Sequence, residues 1–211
     1  EGTPFARMAE RGELQLPEED TERAMYEETR EIMAKYGFHR YEISNYARDG
    51  YECLHNVGYW IRRDYLGFGI GAASLVDNVR FQNGRDLITY LENPQNCREE
   101  EQVLTEQEQM EETMFLGLRL IRGISYEQFE KQYGRSLPEV YGPVITQNIA
   151  DGLLREYTEE SGERFLALTE KGLDGLLTVT ERKENQKKDR FLALTKRGLD
   201  LSNYVMAQFL F

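Results

Sequence analysis

A chain of 211 residues with 40% hydrophobic content is long enough for one large domain or two small ones, each with a real core. Its 38 acids outnumber 26 bases for a net charge of −12, and Lys and Arg are interspersed with acids, which argues against nucleic acid as a partner. No uncharged apolar run reaches the roughly 18 residues of a transmembrane segment, and the opening EGTPFARMAERGE lacks a signal peptide's apolar core, so a cytoplasmic protein is expected.

The chain opens at Glu1 without Met and runs straight into Gly-Thr-Pro, which suggests a piece cut from a longer protein. After Pro17, Ala24, Met25, Glu28, Ile32 and Met33 follow a helical period, with acids in the first turn and Gly37 past the end, predicting a helix at about 18–36. FHRYEIS then alternates large apolar or aromatic residues with polar ones, as a short strand does. On such a strand Glu42 and Ser44 point one way and Tyr41 and Ile43 the other. NYARDGYECLHNVGYWIRRD shows little periodicity and reads as an ordered loop. YLGFGIGAASLV carries Gly67, Gly69 and Gly71 at alternate positions, which on a strand bares one backbone face to a ligand or another segment. A turn at Asp77-Asn78 leads into VRFQN, RDLITYLEN reads as a short helix ended by Pro94, and polar QNCREEEQ reads as a linker.

From Leu104 the pattern changes. Thr105 with Glu108 is a capping-box signature, followed by Met110, Met114, Leu118 and Ile121 down one helical face of 105–121. Ser125 with Gln128 repeats the signature, and a third helix starts near Pro138 and stops at Gly152. A duplication follows: GLL, a polar stretch, RFLALT, two charged residues and GLD occur in order at 152–174 and again at 175–200, each predicting a hairpin. Its basic stretch RKENQKKDR reads as a solvated hairpin tip, and SNYVMAQFLF as a closing helix on the three-helix unit. Three helices and a hairpin is a winged-helix layout, but residues 104–150 hold seven acids against four bases, which suits protein or self contact better than a DNA groove.

Three stretches, YEISNYARDGYECLHNVGYW at 41–60, YLGFGIGAAS at 65–74 and MFLGLRLIRGISYEQFEKQYG at 114–134, resemble the radical-SAM family of oxygen-independent coproporphyrinogen III oxidases and related heme chaperones. The opening EGTPF and LTKRGLDLSNYV near the end extend the likeness over nearly the whole chain, and HNxxYW with GLRLxxGI is similar to the chaperone branch. The resemblance implies an α+β protein: residues 1–97 as the C-terminal remnant of a partial βα (radical-SAM) barrel, and 98–211 as a helical, winged-helix-like domain with the duplicated hairpin. It implies a heme chaperone, with an oxygen-independent coproporphyrinogen III oxidase or a free-standing protein-interaction module as alternatives. It also implies a [4Fe–4S] cluster, S-adenosylmethionine and heme in the parent protein, heme or porphyrin as ligand, and a heme-acceptor protein as partner. The family's CxxxCxxC motif is absent here, and Cys53 and Cys97 cannot replace its three thiolates, so no cofactor and no catalysis are expected of this chain alone. Ala73 stands where many relatives carry His, and the second hairpin unit is extra.

The candidate site residues are His55, Asn56, Tyr59 and Trp60, together with Glu42 and Asn45. A neutral imidazole ligates heme iron or hydrogen-bonds a propionate, and aromatic rings flank a porphyrin face; the alternative is that His55 caps a loop and Trp60 fills the core. Glu42, Ser44 and Asn45 fall where a barrel's last strand ends, with a surface ion pair as the other reading of Glu42. His39 reads as structural and Cys53 as a lone thiol. A barrel remnant leaves strand edges unpaired, so a homo-oligomer is expected.

Overall fold

The structure, a computed structural model, describes residues 3–14, 17–170 and 205–210. It mixes helices with three small antiparallel sheets. The second hairpin unit at 175–200 lies outside the described residues, as do 202–204 and 211 of the closing segment.

Two helices open the described chain. Helix α1 (Pro4–Glu10), which periodicity does not announce, starts with Pro4 in its first turn, while the Thr3 hydroxyl accepts from the Ala6 amide at 3.1 Å. Helix α2 (Glu19–Lys35) matches the expected span and ends before Gly37 at φ +78°. The strand expected over FHRYEIS is cut to β1 (His39–Arg40), paired antiparallel with β2 (Tyr46–Ala47). Beyond Arg40 the chain turns on itself, the Tyr41 amide donating to the Asn45 carbonyl at 3.2 Å. Alternation therefore fails: Glu42 and Ile43 are both buried, whereas Ser44 is exposed.

The expected loop at 45–64 holds a helix, α3 (Leu54–Trp60), seven residues in length. Nor do Gly67, Gly69 and Gly71 lie on a strand, since β3 (Ala73–Val76) begins after them and Gly69 and Gly71 sit at φ +102° and +66°. Gly67 is needed for close approach, because a Cβ there would fall 2.3 Å from the Ala73 carbonyl oxygen. Asp77 and Asn78, both at positive φ, turn β3 into β4 (Val79–Asn83). Helix α4 (Leu87–Glu92) forms as expected, with Asp86 as its cap. The expected linker is instead strand β5 (Arg98–Val103), on the edge of a sheet ordered β3-β4-β5.

The Thr105–Glu108 capping box is present in full and starts α5 (Glu106–Gly117), which stops short of the predicted 121. Strand β6 (Ile124–Ser125) precedes α6 (Tyr126–Tyr133), whose first turn Ser125 caps and which ends on Gly134 at φ +66°. Helix α7 (Leu137–Ala150) leads into the first hairpin, β7 (Leu154–Thr158) and β8 (Arg164–Leu168), and the sheet order is β6-β8-β7. Met110, Met114, Phe129, Leu137, Tyr141 and Leu166 fill the core between these elements. Val205, Met206 and Phe209 close it, with the Phe209 ring edge-on to Tyr141 at 5.2 Å, as a closing segment packed on the three helices requires.

Candidate functional site

The turn at 41–45 is held against the segment after α5. Ile43 donates its amide to the Arg119 carbonyl at 3.1 Å, Ile121 donates to the Tyr41 carbonyl at 3.1 Å, and Glu42 bridges Leu120. This brings the Glu42 side chain, fully buried, under Arg119. Its Oε1 accepts from the Ser44 amide at 2.7 Å and from Asn45 Nδ2 at 2.6 Å, and its Oε2 lies 3.3 Å from Arg119 Nη2. The Arg119 guanidinium stacks over the Trp60 ring at 4.3 Å. Three separated segments thus meet at one carboxylate and one cation, and Glu42, Asn45 and Trp60 are brought together through a residue the sequence did not single out. Trp60 Nε1 and Arg119 Nε are buried with no partner among the described residues.

His55 and Tyr59 share a different face of α3, one helical turn apart. Tyr59 Oη lies 3.1 Å from His55 Nε2, the two rings meet edge-on at 4.8 Å, and Tyr59 in turn meets Tyr65 at 4.6 Å. His55 is exposed while Asn56, Tyr59 and Trp60 are half-buried. The imidazole faces outward, with its Nε2 within hydrogen-bond distance of a phenol. The motif therefore splits: His55 and Tyr59 form an outward aromatic pair, and Trp60 joins the buried ion pair.

Arg62, at φ +53° just past α3, is the other cation that sequence reasoning missed. Its buried guanidinium reaches Glu112 Oε2 at 2.9 Å, Asn78 Oδ1 at 3.3 Å and the Tyr133 hydroxyl at 3.4 Å, tying the end of α3 to α5, the β3–β4 turn and α6. Nothing local in IRRD announces this, because every partner is distant in sequence.

An open cleft of about 580 Å³ lies beside the pair formed by 41–43 and 119–121. Helix α3 lends it Leu54 and Val57, the segment after α5 lends Ile121 and Arg122, and β7 lends Arg155 and Tyr157. The Tyr157 hydroxyl donates to the Arg122 carbonyl at 2.8 Å, and the Arg155 guanidinium lies over the Tyr157 ring at 4.8 Å. Burial pushes the Tyr157 phenol up, Glu159 adds to this, and Arg155 and Arg122 oppose it.

Cys53 is exposed ahead of α3, whereas Cys97 is buried with its thiol donating to the Pro94 carbonyl at 3.2 Å. His39 pairs with Ala47 in β1–β2. Among the described residues no group of three or more His, Cys, Asp or Glu is placed to hold a metal ion, so they do not fit an iron–sulfur cluster. No helix among them is long and apolar enough to cross a membrane.

The HemN C-terminal domain family matches residues 104–174. The chain is 38% identical over 82% of its length to Heme chaperone HemW of Lactococcus lactis subsp. lactis (strain IL1403), covering 44% of that protein. It is 37% identical over 81% of its length to Heme chaperone HemW of Bacillus subtilis (strain 168), again covering 44%. Radical S-adenosyl methionine domain-containing protein 1, mitochondrial, of Danio rerio is 28% identical over 82% of this chain and 39% of its own. The chain thus spans less than half the length of these relatives. The solved structure described as "Coproporphyrinogen III oxidase (HemN) from Escherichia coli is a Radical SAM enzyme" aligns over 67% of this chain and 36% of that one at 17% identity and a TM-score of 0.49, too low to carry weight. Residues 104–174 thus match the HemN C-terminal domain, and the likeness to heme chaperones of the HemW type continues over most of the chain.

Proposed function

We propose that this chain is part of a heme chaperone, a cytoplasmic protein that binds heme and hands it to an acceptor protein. The observation that carries the reading is the 38% identity to a heme chaperone over 82% of the chain. Residues 1–97 are read as the remnant of a barrel and 98–211 as the C-terminal domain, with β5 at the junction paired to β4. The order α5, β6, α6, α7, β7, β8 with sheet order β6-β8-β7 supports a winged-helix-type unit, whose acidic balance suits docking to a protein. The [4Fe–4S] cluster and S-adenosylmethionine belong in this reading to the remainder of a longer parent.

For heme, the outward His55 imidazole is the candidate ligand, with Tyr59 beside it and Asn56 on the same helix. Iron needs a free nitrogen lone pair, and the Tyr59 hydroxyl competes for Nε2 at 3.1 Å. Glu42, Asn45 and Trp60 hold the frame through Arg119 rather than touch ligand. Hemin titrated into the full chain should give a saturable Soret band that His55→Ala weakens by about tenfold or more. Tyr59→Phe, which removes the hydroxyl from Nε2, should strengthen binding by a few-fold. Absence of saturable binding to the unsubstituted chain sinks the reading; binding indifferent to His55→Ala removes His55 from it.

A further inference from the structure

The cleft beside α3 carries a combination found at few other places on an acidic protein. Its walls are apolar or aromatic at Leu54, Val57, Ile121 and Tyr157, and two guanidiniums, Arg122 and Arg155, stand at its side. Neither arginine makes an ion pair among the described residues, although the whole chain has a net charge of −12. Glu52, which also lines the cleft, has its carboxylate turned to the Gly50 amide at 3.2 Å. At about 580 Å³ the space suits one medium-sized organic molecule.

We propose that this cleft binds a flat, largely apolar ligand by its carboxylates, Arg122 and Arg155 pairing with them while Leu54, Val57, Ile121 and Tyr157 cover the apolar body. A guanidinium presents a planar fork to a carboxylate, and the pair is strong where neighbouring apolar surface thins the water around it. Tyr157 fixes the geometry. Its hydroxyl is tied to the Arg122 backbone and its ring lies under Arg155, so Tyr157 links the two chain segments that carry the cations. The stacking of Arg155 on Tyr157 also restricts the guanidinium before ligand arrives, which lowers the ordering cost of binding. A dicarboxylic porphyrin has this chemistry, with two propionates on one edge of an apolar disc. The assignment rests on the heme-binding reading and deepens it, because it concerns the carboxylates rather than the iron and uses residues other than His55.

Iron-free protoporphyrin IX and its dimethyl ester, titrated into the full chain and followed by porphyrin fluorescence, provide the test. The double variant Arg122→Gln/Arg155→Gln should raise the Kd for the free diacid roughly 10- to 100-fold, and leave the weaker binding of the ester unchanged. Arg135→Gln, outside the cleft, should change neither. All three arginines are at least partly exposed, so matched circular dichroism and melting curves are expected. Equal affinity of the diacid for the unsubstituted chain and the double variant overturns the cleft assignment. If hemin still binds saturably in that case, the heme reading stands and only the place is wrong. If neither hemin nor protoporphyrin binds the unsubstituted chain, both fall.

Discussion

Truncating Glu42 to alanine should destabilise the protein by about 3 kcal/mol or more, because it strips one partner from a buried ion pair and leaves the rest of the network in place. The Glu42 side chain has 0% exposure against 22% for Arg119, so solvent reaches the cation only partly and cannot replace the lost carboxylate fully. Arg119 Nε already lacks a partner among the described residues, so the variant would leave two of its nitrogens unmatched. The Ser44 amide and Asn45 Nδ2 would lose their acceptor as well, each worth about 1 kcal/mol. Glu42→Gln retains a carbonyl oxygen for those two donors and gives up the charge, for a smaller loss of about 1–2 kcal/mol. Pairing Glu42→Ala with Arg119→Met should recover part of the deficit, since the uncompensated cation goes while an unbranched chain stays against Trp60. The protein contains one tryptophan, and it is the ring under Arg119, so urea unfolding followed by its fluorescence reports on this site directly. A loss below about 1 kcal/mol for Glu42→Ala, or a double variant no better than the single, would refute the claim that this pair holds the 41–45 turn to the segment after α5.

Glu108 is held below its ordinary value of 4.5, first by the Thr105 amide and then by the Thr105 hydroxyl. A carboxyl whose folded pKa is depressed adds stability that is complete above the unfolded value and disappears as pH falls through the folded one. Glu108→Gln should therefore flatten the acid limb of the stability curve below about pH 4.5, as urea midpoints would register; an acid limb as steep as the parent's would count against it. Gly123 sits at φ +76°, where an added Cβ would lie 2.0 Å from the Leu166 carbonyl oxygen and 2.7 Å from Ala167 Cα. Gly123→Ala should cost more than about 3 kcal/mol through clash and strain together, and an unchanged melting temperature would show that β6 and β8 can part there.

What the sequence made legible was local. Capping residues at Thr105 and Ser125 and the stop glycine at Gly152 act over a few positions, so helices α5 to α7 and the first hairpin could be read directly. Helix α3 escaped because seven residues give under two turns of period and Gly58 interrupts them. The alternation at 38–44 misled because Glu42 is buried by a contact 77 residues away, and pairing at that distance leaves no mark on local pattern. The same reason hid the arginines: HNxxYW drew attention to α3, while Arg62, Arg119, Arg122 and Arg155 gain their meaning only from neighbours that the fold supplies. Of the candidates, Trp60, Glu42 and Asn45 do converge, but on an ion pair.

Strand β5 shows how an apparent linker can be an edge with a purpose. REEEQV is exposed throughout, and all of its regularity comes from pairing with β4. Between the pairs Arg80–Gln102 and Gln82–Glu99 the register shifts, so Glu100 and Glu101 together face Phe81, and Glu100 takes φ +53°. The opposite edge, β3, is partly covered where Tyr65 bridges Leu75. Among the described residues β5 is therefore the open side of its sheet, and it carries a bulge and a run of carboxylates, both of which discourage another strand from adding. Self-association expected from unpaired edges should be held back here until that charge is removed. Glu100→Asn with Glu101→Thr removes both carboxylates and so lowers the repulsion between copies, Asn tolerating the positive φ at 100 and Thr suiting an exposed strand edge. Sedimentation velocity should show the double variant associating at concentrations where the parent does not. Identical distributions up to about 100 μM, a range in which weak edge pairing would already register, would mean that the bulge alone guards the edge and the acids only solvate it.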